Sequence, residues 1–208
     1  MIEGVIFDMD GVLADTEGFY ARRRREFFQR MDFQPAYHGS FVGSNEREIW
    51  NLLVPEDPVF REELLQGYRA YRKLHPTPYE KLLDPEVPGL FHALKRRGLK
   101  IGIASSSPHR TVANLTALAG VEALVDFILS GEECTAHKPA PEIYLRSMEA
   151  LGLTPRTAIA VEDSPTGIRS ALDAGLTVYA LRPRHGEELD QSQARGILER
   201  LSQVLEVV

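Results

Sequence analysis

Val5-Ile6-Phe7-Asp8-Met9-Asp10-Gly11-Val12-Leu13 is the stretch on which the reading of this chain turns. Its β-branched and aromatic start, closed by a glycine, predicts a short buried strand that stops at a tight turn. Side chains two apart on a strand lean to the same side, so Asp8 and Asp10 are expected to face one pocket beyond the strand's carboxyl end. Like charges a few ångströms apart repel by roughly 3–4 kcal/mol at an effective dielectric near 20. One carboxylate must therefore hold a proton, or a cation must sit between them. Two solvated loop acids would give the same tripeptide, so the choice rests on the polar residues that end the later apolar runs.

Those runs alternate with helical patterns. A helix is expected over 88–97, with Pro88 near its start and Gly98 beyond its end, then a strand over 99–104. Ser107-Pro108 opens a helix to about Ala119, with Ser107 the natural cap. A strand over 125–129 leads to a loop holding Lys138, and Pro141 starts a helix that stops at Gly152. A strand over 157–161 precedes Glu162-Asp163-Ser164-Pro165; a helix over 164–174 and a strand over 176–181 close the series. Strands and helices in this alternation imply right-handed crossovers and a mostly parallel, doubly wound, Rossmann-like α/β sheet.

The first strand is cut off from the others by a helical stretch. Amphipathic segments are expected at 16–31, 45–54 and 58–73, and Asn45 with Glu48 has the form of a capping box. Prolines 76, 78, 85 and 88 then mark a hinge. The expected organisation is a core of 1–14 and 80–208 with an inserted α-helical cap subdomain at 15–79. Motion of such a lid through linkers 13–16 and 76–88 is expected on the microsecond-to-millisecond scale.

Composition narrows the function. The chain has 208 residues, enough for a sizeable core plus an insertion, and a net charge of −6, which argues against broad nucleic-acid or anionic-membrane binding. Its one cysteine, Cys134, excludes an intrachain disulfide and fits a reducing compartment. No run approaches the roughly 18 apolar residues of a membrane span, and residues near Met1 read as strand in place of a signal peptide. A cytoplasmic monomer is the expectation.

In an open parallel sheet, groups just past each strand converge at the carboxyl edge. Collected this way, Asp8, Asp10, Ser105, Lys138, Glu162 and Asp163 meet, an unusual density of unlike charge for a structural core. The acids suit Mg²⁺, which takes one or two carboxylates, water and substrate phosphate. Ser105, Lys138 and backbone amides near Gly11 and Ser106 can hold phosphoryl oxygens. Asp8 is then placed to attack phosphorus, and Asp10 to protonate the leaving oxygen and later take a proton from water.

Asp8-Met-Asp10-Gly-Val-Leu, Ile101-Gly-Ile-Ala-Ser105, Lys138-Pro-Ala-Pro-Glu142 and Glu162-Asp163-Ser-Pro-Thr-Gly167-Ile resemble, as a set, the haloacid dehalogenase-like superfamily in its β-phosphoglucomutase-like branch. The resemblance spans the chain and places the cap where that branch carries one. It implies a Mg²⁺-dependent phosphoryl-transfer enzyme with an aspartyl-phosphate intermediate. On that likeness Asp8 is the nucleophile, Asp10 the acid/base, and Ser105 and Lys138 the phosphate binders. Glu162 and Asp163 are the metal acids, joined by Asp8 and the main-chain oxygen of Asp10. True haloacid dehalogenases lack the second aspartate and the paired metal acids, so phosphate chemistry is implied over carbon–halogen cleavage.

The β-phosphoglucomutases carry a His and then a Trp where this chain has Tyr20 and Arg24. Both departures favour a phosphatase acting on a small phosphorylated metabolite, such as a sugar phosphate, over the mutase. Tyr20, Arg24 and Arg47, the last in the cap loop Gly43-Ser-Asn-Glu-Arg47, are candidate specificity residues. Arg22-Arg-Arg-Arg25 covers all sides of a helix, so most of it is expected in solvent; Arg184 and His185 are expected in a surface loop. A phosphoacceptor signalling domain would share clustered acids, Lys and Mg²⁺, but needs neither the insertion nor the Asp-x-Asp order. An inactive binding module has no use for the full set of polar groups.

Overall fold

Gly4–Phe7 forms β1, and its neighbours explain why distant residues meet. The computed structural model describes residues 1–44, 46–186 and 188–208. Five further strands pair in parallel: β2 (Lys100–Ser105), β3 (Phe127–Ser130), β4 (Ala158–Glu162), β5 (Thr177–Leu181) and β6 (Gly196–Leu198). The sheet order is β3-β2-β1-β4-β5-β6, so the order reverses at β1. Phe7 is in register with Ile103 of β2 and Val161 of β4. Asp8, Ser105 and Glu162 therefore leave the same edge of the sheet, at the crevice where parallel sheets take their ligands.

Alternation along β1 sorts the core. Val5 and Phe7 pack with Ile101, Ile103, Ile159 and Val161 under Leu90, Phe91 and Leu94 of α5 (Val87–Arg96) and Val112 and Leu115 of α6 (His109–Leu118). Ile6 points the other way, with Ala104, Ala160 and Val178, against Ile143, Tyr144 and Met148 of α7 (Glu142–Leu151) and Ile168 and Ala171 of α8 (Pro165–Asp173). Both faces are covered, which is why these strands read as continuous apolar runs. Beyond the strand expected to close the series, β6 and a short α9 (Val204–Val207) are added.

The chain divides into two compact units, Met1–Asp15 with Tyr79–Val208, and Thr16–Pro78. The second holds α1 (Glu17–Arg30), α2 (Glu46–Leu53) and α3 (Pro58–Leu74), packed on Phe27, Phe28, Trp50, Leu53, Leu64 and Tyr68. Asp57 caps α3, its carboxylate accepting from the amides of Val59 and Phe60. Asn45, half of the expected capping box, lies outside the described residues. Within the arginine run, most of which is expected in solvent, Arg23 turns inward. That side chain is buried, and its guanidinium donates to His75 O at 3.0 Å and Thr77 Oγ1 at 3.2 Å.

Within the first unit the two crossing segments pair as a short antiparallel ribbon. Asp15 N donates to Leu82 O at 2.7 Å and Asp84 N to Leu13 O at 2.9 Å, beside the single-turn α4 (Tyr79–Leu82). Arg184 and His185 do more there than line a surface loop. Arg184 pairs with buried Asp84 and reaches Val12 O, and His185 Nε2 lies 2.9 Å from Asp15 Oδ1. Among the described residues no helix is long and apolar enough to cross a membrane.

Candidate active site

Carboxylate oxygens of Asp8, Glu162 and Asp163 lie within 4.8 Å of one another, and all three residues are buried. Lys138, from the loop between β3 and α7, joins them. Its ammonium donates to Asp8 Oδ1 and Glu162 Oε1, each at 2.6 Å, and to Ala104 O at 3.0 Å. Burial alone would lower the Lys138 pKa, but Asp8 and Glu162 outweigh it and hold the amine well above the ordinary lysine value. Burial pushes the Asp8 carboxyl well up, Glu162 and Asp10 adding to the effect and Lys138 opposing it. The cluster carries more negative charge than one ammonium balances, and hard carboxylate oxygens at this spacing suit a divalent cation such as Mg²⁺.

The three acids are not equivalent. Glu162 Oε1 accepts from Lys138 and from the Tyr144 hydroxyl at 2.6 Å. Its Oε2 accepts from Asp163 N at 3.2 Å and Ser164 Oγ at 3.4 Å. Burial, then Glu162, raises the Tyr144 phenol well above its ordinary value, so it stays a donor. Gly167 makes room for this arrangement: a methyl there would overlap the Glu162 carboxyl group. Asp163 is held by its backbone, where Gln191 Nε2 donates to Asp163 O at 2.6 Å and to Leu181 O at 2.8 Å.

Asp10 belongs to the second half of the site. Ser107 Oγ donates to Asp10 Oδ2 at 2.6 Å, Ser107 N donates to Ser105 Oγ at 3.0 Å, and Ser130 Oγ donates to Ser107 O at 2.7 Å. Ser107 is thus not the helix cap that its place before Pro108 suggested; Pro108 occupies the position before α6. The Gly11 amide, expected to face a phosphoryl oxygen, donates instead to Ala14 O at 2.8 Å. What Gly11 contributes is space, since at φ 79° a side chain there would overlap the Asp163 carboxylate. Ser106 is exposed at the same strand end.

Asp8, Asp10, Gly11, Ser105, Lys138, Glu162 and Asp163 therefore share one edge of the first unit. Tyr20, Arg24 and Arg47 lie in the helical unit. The Arg23 guanidinium sits 5.2 Å from the Tyr20 ring centre, and that of Arg24 4.9 Å from the Phe41 ring centre. Burial draws Arg24 below its ordinary value, with Tyr68 and Glu17 opposing. Arg47 is exposed in the first turn of α2. Sequence reasoning overlooked Tyr144, Ser130 and Gln191. Tyr144 could have been found, because an aromatic hydroxyl three residues after Pro141 falls on the helix face that carries Ile143 and Met148 inward.

Comparison with known proteins agrees with this geometry. The family described as haloacid dehalogenase-like hydrolase matches residues 5–181. A phosphorylated carbohydrates phosphatase from Thermotoga maritima is 32% identical over 180 residues, covering 84% of this chain and 82% of its own. A phosphoglycolate phosphatase from Aquifex aeolicus is 25% identical over 174 residues, covering 82% and 80%. A Thermotoga maritima crystal structure, provisionally assigned as a beta-phosphoglucomutase, superposes with a TM-score of 0.72 at 27% identity, covering 99% of this chain and 98% of its own. A sheet that reverses at β1, the acids past β1 and β4, and a match over most of the length have one reading: this chain is an enzyme of the haloacid dehalogenase-like hydrolase family, in its β-phosphoglucomutase-like branch.

Proposed function

We propose that the chain is a Mg²⁺-dependent phosphatase of small phosphorylated metabolites, with sugar phosphates the favoured class, working through a phosphorylated Asp8. The observation that carries this is the buried Asp8 carboxylate, within 4.8 Å of other acids and 2.6 Å from an ammonium. The substrate class rests on the relative named for phosphorylated carbohydrates.

Asp8 attacks phosphorus while Asp10 protonates the departing oxygen; Asp10 then takes a proton from the water that attacks the aspartyl phosphate. Lys138, Ser105 and the backbone at Ser106 orient the phosphoryl oxygens, and Lys138 offsets their charge. Asp8, Asp163 and the Asp10 main-chain oxygen would hold Mg²⁺, with Glu162 next to them; when bound, the cation offsets charge that builds on the phosphoryl group. Glu162, already engaged by four donors, keeps Lys138 aimed at Asp8. Every group in this scheme comes from one unit of one chain, so a monomer suffices, and the single Cys134 suits a reducing cytoplasm.

A second reading, β-phosphoglucomutase, is favoured by the structural likeness. Tyr20 and Arg24, in place of His and Trp, speak for hydrolysis. The test offers a panel of phosphorylated sugars and other small metabolites with Mg²⁺, and separately β-glucose 1-phosphate with its bisphosphate activator. Phosphate release, abolished together with covalent labelling in Asp8→Asn, is expected. Predominant glucose 6-phosphate with negligible free phosphate would overturn the hydrolase reading in favour of the mutase.

A further inference from the structure

We infer that Ser107 is a positioning residue for Asp10, fixing which carboxyl oxygen carries the proton given to the leaving group. The inference rests on the proposed role of Asp10 as acid and base. Three polar groups of Ser107 are engaged, and each engagement limits its freedom. Its amide donates to Ser105 Oγ at 3.0 Å, past β2, and its carbonyl accepts from Ser130 Oγ at 2.7 Å, past β3. Both serines are buried, and Ser130 is itself held by the capping box of the following turn. The Ser107 backbone is thus tied to two neighbouring strand ends, which leaves χ1 as the coordinate that aims its hydroxyl.

That hydroxyl donates to Asp10 Oδ2 at 2.6 Å, in the range of a charge-assisted O–H···O bond. A hydroxyl has one proton to donate. With it directed at Oδ2, the acidic proton of Asp10 belongs on Oδ1, and the carboxyl plane is held while that proton leaves and returns. Helix capping does not explain the contact. The residue before α6 is Pro108, and the leading amides of that helix are met elsewhere: His109 N by Glu132 Oε1 and Thr111 N by Pro108 O. The serine is therefore set against an aspartate 97 positions earlier in the chain.

The chemistry supplies a readout that a merely structural role would not move. An alkyl phosphate, such as a sugar phosphate, needs a proton on its departing oxygen, whereas p-nitrophenyl phosphate expels a stable phenolate and does not. Values of kcat/KM report steps up to departure of that group, so the later attack of water does not enter. Ser107→Ala is expected to lower kcat/KM for the sugar phosphate about 10–100-fold, part of the full value of general acid catalysis, and that for p-nitrophenyl phosphate less than about threefold. Ser107→Thr, which keeps the hydroxyl, should restore the sugar phosphate rate to within about threefold of the parent, and adding Ser107→Ala to Asp10→Asn should bring no further selectivity.

Equal losses on both substrates, or none on either, would overturn the inference. Thermal unfolding of each variant identifies failure to fold, in which case Ser107→Cys, close in size with a weak donor, is scored by the same ratio. Asp10→Asn separates the two levels of reasoning. If it shows the leaving-group selectivity and Ser107→Ala does not, the Ser107 inference alone fails; if Asp10→Asn is itself unselective, the acid role of Asp10 fails and takes the inference with it.

Discussion

Replacing Lys138 by Met tests the electrostatics of the site with little change of shape, since the unbranched thioether follows the lysine stem. Nζ lies 2.6 Å from both Asp8 Oδ1 and Glu162 Oε1. At an effective dielectric near 20 each attraction is worth about 6 kcal/mol before the cost of burying the charges. Measured losses on breaking buried pairs are about 3–5 kcal/mol, because the partner charges stay buried and unbalanced. For a chain of this size that corresponds to a fall of roughly 6–20 °C in the unfolding midpoint. Calorimetry in the presence of a chelator, which keeps a bound cation from masking the loss, reads the shift. The deficit should shrink as pH falls, because burial already raises the Asp8 carboxyl, and protonating it removes the repulsion that Lys138 had offset. Adding Glu162→Gln should recover at least half of the loss while turnover stays abolished. A Lys138→Met protein within about 1 kcal/mol of its parent at pH 7 would refute the claim that this ammonium balances the buried acids.

Three further outcomes are expected. Gly167→Ala, which in an open helix would stabilise, should here cost about 1–3 kcal/mol and most of the turnover, because the methyl meets the Glu162 carboxyl group; unfolding midpoints and kcat check it. Mg²⁺ at a hundred times its dissociation constant should stabilise the parent by about 2.7 kcal/mol, and Asp163→Asn should lose most of that gain in thermal shift. Glu133 is held below the usual carboxylate range first by the His109 hydrogen bond and then by the Ser130 amide. Its contribution is present above the unfolded value near 4.3 and lost as pH falls through the lower folded value. Glu133→Gln should therefore cost at most about 1 kcal/mol at pH 7 for so exposed a group, the gap closing below about pH 4 in urea titrations.

Much of the fold was legible because it is written in local periodicity. The run 99–104 and the helices flanking it carry their own start and stop residues, and the strand and helices formed within a residue or two of expectation. β6 was not legible: Gly196-Ile197-Leu198 is too short for alternation to register, and only its pairing with β5 makes it a strand. Site residues past strand ends were legible from the parallel pattern itself. Ser107 was misread because its local signal, a serine before a helix, is that of a cap, whereas its partner arrives through chain folding. Arg23 and Arg184 were hidden for the same reason. An arginine in a charged run or a loop shows nothing of the carbonyl or carboxylate it will pair with, here His75 O and Asp84.

The short ribbon joining Leu13–Asp15 to Leu82–Asp84 has an evolutionary reading. With Asp15 N on Leu82 O and Asp84 N on Leu13 O, the points where the chain departs and returns are bonded neighbours inside the first unit. The excursion between them, about 60 residues, is then a cassette whose length hardly concerns its host: doubling it adds only about 0.6 kcal/mol of closure entropy. Selection can exchange such an insert for another without disturbing the strands that carry the chemistry, which is how one phosphoryl-transfer scaffold could be retailored for many metabolites.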